Sequence, residues 1–495
     1  DQALPAQRFF HLIESRIEGA ENHRNLMQGV NLAAGGTARR VQSALLEQNP
    51  DLMQAMRARR NLEVLAQRPP DKLSGPDQLL AQVGPMLKQL PDDQAPAAAL
   101  AIAGYYARSG QWTMAREIYR HMTDQYPAHP LAVEAYRWLI RHDTSSEVRR
   151  RQESSQYVLM TRSQFQEMPK TTSVVPATGI QRVGATQKGG VQEKTEGVVE
   201  TLSDPSDVRQ ARENSLKMGE RLTAFGPVFA GDPAIQFCLQ AAHRQLGEVE
   251  QARQWYTTFR RDAADGPWRD AAAAELWLLN RSGSPPKHVA LCRQTPTRPY
   301  LDGEFNDACW EGIKPITLKN AVGETAKDYR TEVRLAYDKE FLYVAFRCQH
   351  PEGSRVEPVK SRPHDADLRP YDRVSLLLDL DRDYSTYFHL QVDQRGCVCE
   401  DCWGDRGWNP NWYVAVHSET TSWQIEAAIP LVELTADPVS LGKAWACNLV
   451  RVIPGHGVQA MSVPADVEPR PEGMGLLLFT DGPSGEEKKK QETKN

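Results

Sequence analysis

The chain has 495 residues, more than one core accommodates, and its 40% hydrophobic and 25% charged content is that of an ordinary globular protein. A formal net charge of −5 gives no bulk electrostatic attraction to nucleic acid. No run of about 18 apolar residues occurs, so no transmembrane segment is predicted.

In chain order, the opening DQALPAQRFF has neither an initiator Met nor a signal peptide, which fits a leader removed or a chain cut at that point. Residues 1–90 are predicted to be helical: Phe9, Leu12, Ile13, Ile17 and Leu26 fall close to helical spacing. In residues 91–144, Tyr106, Gly110, Ala115, Tyr119 and Pro127 mark two helices around a Gly turn. Gly247, Ala252 and Tyr256 keep that spacing in residues 206–281. Both stretches resemble degenerate tetratricopeptide repeats, which implies a scaffold for protein partners.

Between them, residues 145–205 are polar, rich in Gly, Thr and Gln, and poor in aromatics. They cannot bury enough apolar surface to offset ordering, and a flexible low-complexity insertion is predicted. The run Arg149–Arg151 reads there as solvated. Residues 282–298, SGSPPKHVALCRQTPTR, read as a Pro-rich linker. From 299 to 480 the texture is of short β-rich runs: TEVRLAYD, FLYVAFRC, RVSLLLDLD, YFHLQVD, WYVAVHS, WQIEAAIP and ACNLVRVIP. Residues 481–495 read as a disordered charged tail. The predicted fold class is multidomain α + β, an α-helical, tetratricopeptide-like region followed by a C-terminal antiparallel β-sandwich.

The strand-rich region carries a further resemblance. LDGEFNDACW (301–310) has Asp302, Gly303, Asp307 and Trp310, and VRLAYDKEFLYVAFRC follows as a hairpin. DRVSLLLDLD, YFHLQVDQRG and WQIEAAIPLVEL, with Trp423, Glu426, Ile429 and Pro430, complete the order. Together these resemble carbohydrate-binding module family 9 and its DOMON-like relatives. The resemblance implies a β-sandwich, often with bound calcium. It implies a glycan end held between two Trp rings in the sugar-binding members, and haem in some wider relatives. Many such domains attached to helical repeats have no established ligand.

The densest chemistry lies in CVCEDCWGDRGWNPNW, 397–412. Indole faces match the apolar side of a sugar, and Asp, Arg and Asn read its hydroxyls. Trp403, Asp405, Arg406, Trp408, Asn409 and Trp412 are therefore the candidate carbohydrate contacts, with core packing the competing role for Trp408 and Trp412. On this reading Trp408→Ala weakens sugar binding with little loss of folding. Cys397, Cys399 and Cys402 admit zinc, a disulfide (with Cys348 a further candidate partner) or free thiols; zinc lacks a nearby His. Asp379, Asp381 and Asp383 are calcium candidates outside any EF-hand, since Tyr384 and Leu390 occupy the positions an EF-hand gives to Gly and Glu. Glu426 reads as structural, tied to a backbone amide or to Arg451. His389 and Met461 are too weak a pair to predict haem, and no nucleotide motif occurs.

Catalytic motifs are likewise absent, so no enzyme activity is predicted. The expectation is a non-enzymatic, extracytoplasmic glycan-binding protein, periplasmic or secreted, with calcium the only cofactor the pattern admits. The alternative is a structural or assembly subunit whose helices bind protein partners and whose sandwich binds no sugar.

Overall fold

The computed structural model describes residues 83–91, 94–154, 181–183, 205–325, 328–359, 363, 365–463 and 465–481. Most of the expected N-terminal helical segment, most of the insertion and all but one residue of the tail lie outside these. The chain divides into two compact units, residues 1–107 with 113–125, and residues 108–112 with 126–495.

The first unit holds α1 (Ala95–Arg108, its last residue aside) and α2 (Trp112–Gln125, its first residue aside). Ala99, Ile102, Ala103 and Tyr106 recur at helical spacing and are buried, as are Ala115, Ile118 and Met122 of α2.

The second unit contains α3 (Ala132–Thr144), a helical stretch at 146–154, α4 (Pro205–Leu222), α5 (Pro233–Gln245), α6 (Val249–Asp262) and α7 (Pro267–Asn280). Asp232 caps α5, its side chain accepting the Ala234 N–H at 3.1 Å, and Pro233 occupies the first turn. Between α5 and α6 the chain turns at Gly247, with φ +87°.

Strands follow as β1 (Gln181–Val183), β2 (Val289–Gln294), β3 (Ile316–Thr317), β4 (Lys319–Asn320), β5 (Thr331–Tyr337), β6 (Phe341–Gln349) and β7 (Arg373–Asp379). Then come β8 (Phe388–Asp393), β9 (Val398–Cys402), β10 (Trp412–Ser418), β11 (Ser422–Pro430), β12 (Ala444–Ile453), β13 (Gly457–Ala460) and β14 (Gly475–Thr480). They form one curled sheet, eleven of them in the order β1-β10-β11-β6-β5-β2-β14-β12-β7-β8-β9, with β3 paired to β5 and β13 to β12 and β4 off this path.

The sheet is mixed, which corrects the antiparallel expectation. β2 lies parallel to both β5 and β14 and joins the two antiparallel halves. It also corrects the linker: VALCRQ is a strand, with Ala290 and Cys292 fully buried. The halves face one another across a core to which Val333, Phe346, Trp423 and Ile425 contribute from one side and Leu376, Phe388, Trp445 and Leu449 from the other. Each such large side chain contributes about 1.5–3 kcal/mol on burial.

β7 and β12 are covered on both faces. Leu376 and Leu378 point into that core while Leu377 points outward; on β12, Trp445, Cys447 and Leu449 point inward, and Ala446, Val450 and Val452 outward. The outward set packs on Phe237, Ala252, Tyr256, Ala271 and Ala272 of the helical layer. Burial on both faces explains why RVSLLLD and AWACNLVRVI read as nearly continuous apolar runs.

The stretch 146–154 corrects another expectation. It is helical, with Arg150 and Arg151 buried, so the arginine run is not solvated as a whole. Arg150 Nε donates to the Val432 carbonyl at 2.8 Å, and its Nη1 donates to Glu153 at 3.0 Å.

Candidate functional site

The loop after β9 turns at Trp403 and Gly404, both with positive φ (+50° and +82°). Asp401 Oδ1 accepts the Gly404 N–H at 2.8 Å and stabilises the reversal. Positive φ at Trp is strained, and packing holds the ring in place. Trp403 lies edge-on to Trp112, centroids 5.9 Å apart, and tilted against Trp138 at 6.1 Å. The Arg151 guanidinium stands 4.2 Å over the Trp112 ring and pairs with Asp405.

The six candidate sugar contacts are therefore divided. Trp408 is 2% exposed and stacks on Phe388 at 4.2 Å. Trp412 is equally buried, and its indole donates to Glu400. Asp405 is buried against Arg151, and Trp403 is half-buried. Arg406 and Asn409 alone among the six are exposed. The loop does not present two open Trp faces; its rings pack in the core and against residues of α3 and Trp112. This burial corrects the expectation that Trp408 can be truncated with little loss of folding.

Of the alternatives open to the cysteines, the structure takes the unbridged one. Cys397, Cys399, Cys402 and Cys348 form no disulfide, and all eight cysteines are buried. Burial pushes Cys399 up to about 11 and Cys348 to about 12, so these groups are held protonated.

The three aspartates do converge at the end of β7. Asp379 accepts the Asp383 and Tyr384 N–H groups at 3.2 and 2.7 Å, and Asp383 Oδ1 accepts those of Ser385 and Thr386, each at 2.7 Å. A fourth carboxylate joins them from the helical stretch. Glu147 accepts the Leu380 N–H and the hydroxyls of Ser145 and Thr386. Burial first, and the neighbouring carboxylates second, hold Glu147 and Asp379 well above the usual carboxylate range and push Asp383 up to about 7. Glu147 was invisible in the sequence reading because it sits at the head of the stretch taken for a flexible insertion.

Two concave features lie in this part of the molecule. A cleft of about 390 Å³ opens beside Asp381, lined by Arg149, Arg150, Arg244, Gln245, Arg382 and Lys443 among others. A much narrower one lies on the outer side of β7, β8 and β12, where Ser375, His389 and Asn448 meet Asp466, Glu468 and Arg470. His389 Nδ1 is 2.9 Å from Asp401 Oδ2, and Gln391 donates to Ser375 at 3.1 Å.

Glu426 is structural but not tied to Arg451. It accepts from the Trp310 indole at 2.6 Å and from the Gly303 N–H at 3.1 Å, and it pins the 301–310 turn onto β11.

Comparison with known proteins addresses the strand region alone. Residues 301–450 match the family described as carbohydrate family 9 binding domain-like. Among solved structures, a family 9 carbohydrate binding module from Caldicellulosiruptor kristjanssonii in complex with cellotriose is 14% identical, covering 40% of this chain and 96% of its own, with a TM-score of 0.30. A module of that family and organism in complex with glucose is 16% identical, covering 40% and 98%, with a TM-score of 0.29. No curated protein matches the chain. Among the described residues, no helix is long and apolar enough to cross a membrane.

Proposed function

We propose that this is a non-enzymatic carbohydrate-binding protein in which the curled sheet at 301–450 provides the binding domain. The match of that segment to the family 9 binding domains is the observation that carries this reading. The rings of the 403–412 loop are already packed, so contact is assigned to the polar surface over β7, β8 and β12, where the groove lined by Ser375, His389 and Asn448 is too narrow to enclose a sugar ring and a glycan would lie across its mouth. Buried polar side chains held by partners, as His389 is by Asp401, suit the reading of sugar hydroxyls. Arg406 and Asn409 are a second, surface-exposed set. An extracytoplasmic location, periplasmic or secreted, goes with this reading, and the unbridged thiols lend it no support.

The test is calorimetric titration of the full chain with a panel of neutral and acidic oligosaccharides. Saturable binding to at least one glycan is expected. His389→Ala should weaken it at least tenfold while leaving the unfolding transition cooperative. Absence of binding across the panel would sink the reading.

A second reading is favoured by the covering of β7 and β12 with helices and by the packing of Trp403 on Trp112 and Trp138. In it the sheet is structural, and the helices, acting as a tetratricopeptide-like scaffold, bind protein partners. Deleting residues 299–495 cannot decide between the two, because α5, α6 and α7 share a core with the sheet. Exposed Val228 and Phe229, in the turn between α4 and α5, are better targets. If no glycan binds and Val228→Asp with Phe229→Asp abolishes partner retention by the full chain, this second reading holds.

A further inference from the structure

The carboxylates that join the helical stretch 146–154 to the sheet have the geometry of a cation site. Glu147, Asp379 and Asp381 each offer one oxygen to a group whose members lie within 4.8 Å of one another. Calcium binds oxygens at about 2.3–2.6 Å, so ligands on opposite sides of one ion stand up to about 5 Å apart. The three oxygens fit around a single ion.

A separate observation points to a missing ligand. Asp381 is only 8% exposed; its Oδ2 accepts the Ser146 N–H at 2.7 Å and the Gln245 amide at 3.2 Å. Its Oδ1 is buried with no hydrogen-bond partner, and so is Oε1 of the adjoining Gln245. Two buried acceptors without donors, on side chains bonded to each other, call for a cation or for water held by one. Among the described residues, no Lys or Arg nitrogen forms an ion pair with Glu147, Asp379, Asp381 or Asp383. Of the nearby cations, Arg244 bonds Glu275 and the Asp381 carbonyl and Arg382 bonds Glu275, while Arg149, Arg150 and Lys443 line the cleft and Arg212 feels the Asp381 charge without pairing with it. The 390 Å³ cleft includes Ser146, Gln245 and Asp381 in its lining, which provides a path from solvent. The donor set is all oxygen, which selects a hard cation over zinc.

We propose that Glu147, Asp379 and Asp381 bind calcium, and that the ion clamps the helical stretch 146–154 to the end of β7, with cleft waters completing its shell. Glu147 lies outside the segment that matches family 9, so this site belongs to the junction between helices and sheet and is independent of sugar binding.

The test uses the full chain, stripped with a chelator and titrated with calcium chloride by calorimetry and thermal unfolding. One saturable site and a Tm rise of about 5 °C or more are expected. Glu147→Gln, which keeps the side chain's shape, should weaken calcium binding at least tenfold and abolish most of the Tm rise. Glu250→Gln, on the exposed face of α6, should change neither. If Glu147→Gln does not fold, Asp381→Asn is read the same way. A wild-type Tm unmoved by calcium, or Glu147→Gln binding calcium as tightly as the wild type, would overturn the proposal. So would a variant that gains stability without calcium while the wild type binds none, since the carboxyls would then be sharing protons.

Discussion

Arg451 meets Asp372 through two parallel contacts, Nε to Oδ1 at 2.9 Å and Nη2 to Oδ2 at 2.5 Å, and neither side chain has appreciable solvent access. The pair is fully enclosed by donors and acceptors. Arg451 Nη1 donates to Thr331 at 3.0 Å, Nη2 to the Gln349 carbonyl at 2.8 Å, and the Trp423 indole donates to Asp372 at 2.9 Å. It thereby links β5, β6, β11 and β12. Removing one partner leaves a buried charge uncompensated, and Arg451→Ala is expected to cost about 3–5 kcal/mol. Denaturant unfolding of Arg451→Ala, Asp372→Ala and the double variant checks this. The double variant should cost clearly less than the sum of the singles, and strict additivity would mean the two groups do not act as a pair.

Gly303 is fixed by its surroundings as much as by its backbone. Its φ is +89°, and a Cβ there would stand 2.6 Å from the His417 nitrogen and 2.9 Å from the Val416 carbonyl carbon, both backbone atoms. Gly323 has a similar φ of +83° with nothing within 4 Å. Gly323→Ala should therefore cost about 1–2 kcal/mol from the backbone alone. Gly303→Ala adds displacement of β10 and should cost at least about 2 kcal/mol more. Equal losses for the two variants would show that β10 yields freely.

How much of this was legible in the sequence depends on whether the deciding contact was local. The runs around Val333, Val344, Leu376 and Ile425 announced strands because β-branched and apolar residues suit a pleated, buried surface. VALCRQ was hidden by the prolines that flank it, and its parallel pairing with β5 and β14 depends on chain far away. Asp379, Asp381 and Asp383 stood out by spacing, whereas Glu147 approaches them across more than two hundred residues of chain. The Trp-rich loop was correctly singled out as chemically dense. Whether its rings face solvent or the core stayed open, because Trp112, Trp138 and Arg151 are remote in sequence and no periodicity links them to Trp403.

Trp408 turns that choice into a measurement. Its ring is stacked on Phe388 inside the core that both halves of the sheet share. Trp408→Ala should destabilise the protein by about 3–5 kcal/mol, in contrast to a surface contact whose loss spares folding. Trp408→Phe keeps an aromatic face and should cost less, and, if the protein binds a glycan, that variant should retain the wild-type affinity. Guanidinium midpoints of the three proteins test the order. A Trp408→Ala variant as stable as the wild type would return the ring to the surface.

Glu426 provides a pH signature. Burial pushes its carboxyl up to about 7, with Asp307 and Asp302 adding to the rise, although the Trp310 indole and the Gly303 N–H pull the other way. In the unfolded chain a Glu titrates near 4.3. Between those values the folded protein holds a proton that the unfolded chain has released, so stability falls as pH rises through the window and the loss is complete above it. Glu426→Gln cannot titrate. It should start less stable at pH 5, since its amide nitrogen faces backbone N–H donors at one end, and the gap to the wild type should narrow by pH 8. Asp383, also raised, is present in both proteins and drops out of the comparison. Urea midpoints for the two proteins at pH 5 and pH 8 measure the gap directly. A gap that stays constant would place the Glu426 carboxyl in the ordinary range and shift the pH dependence to the carboxylates around Glu147.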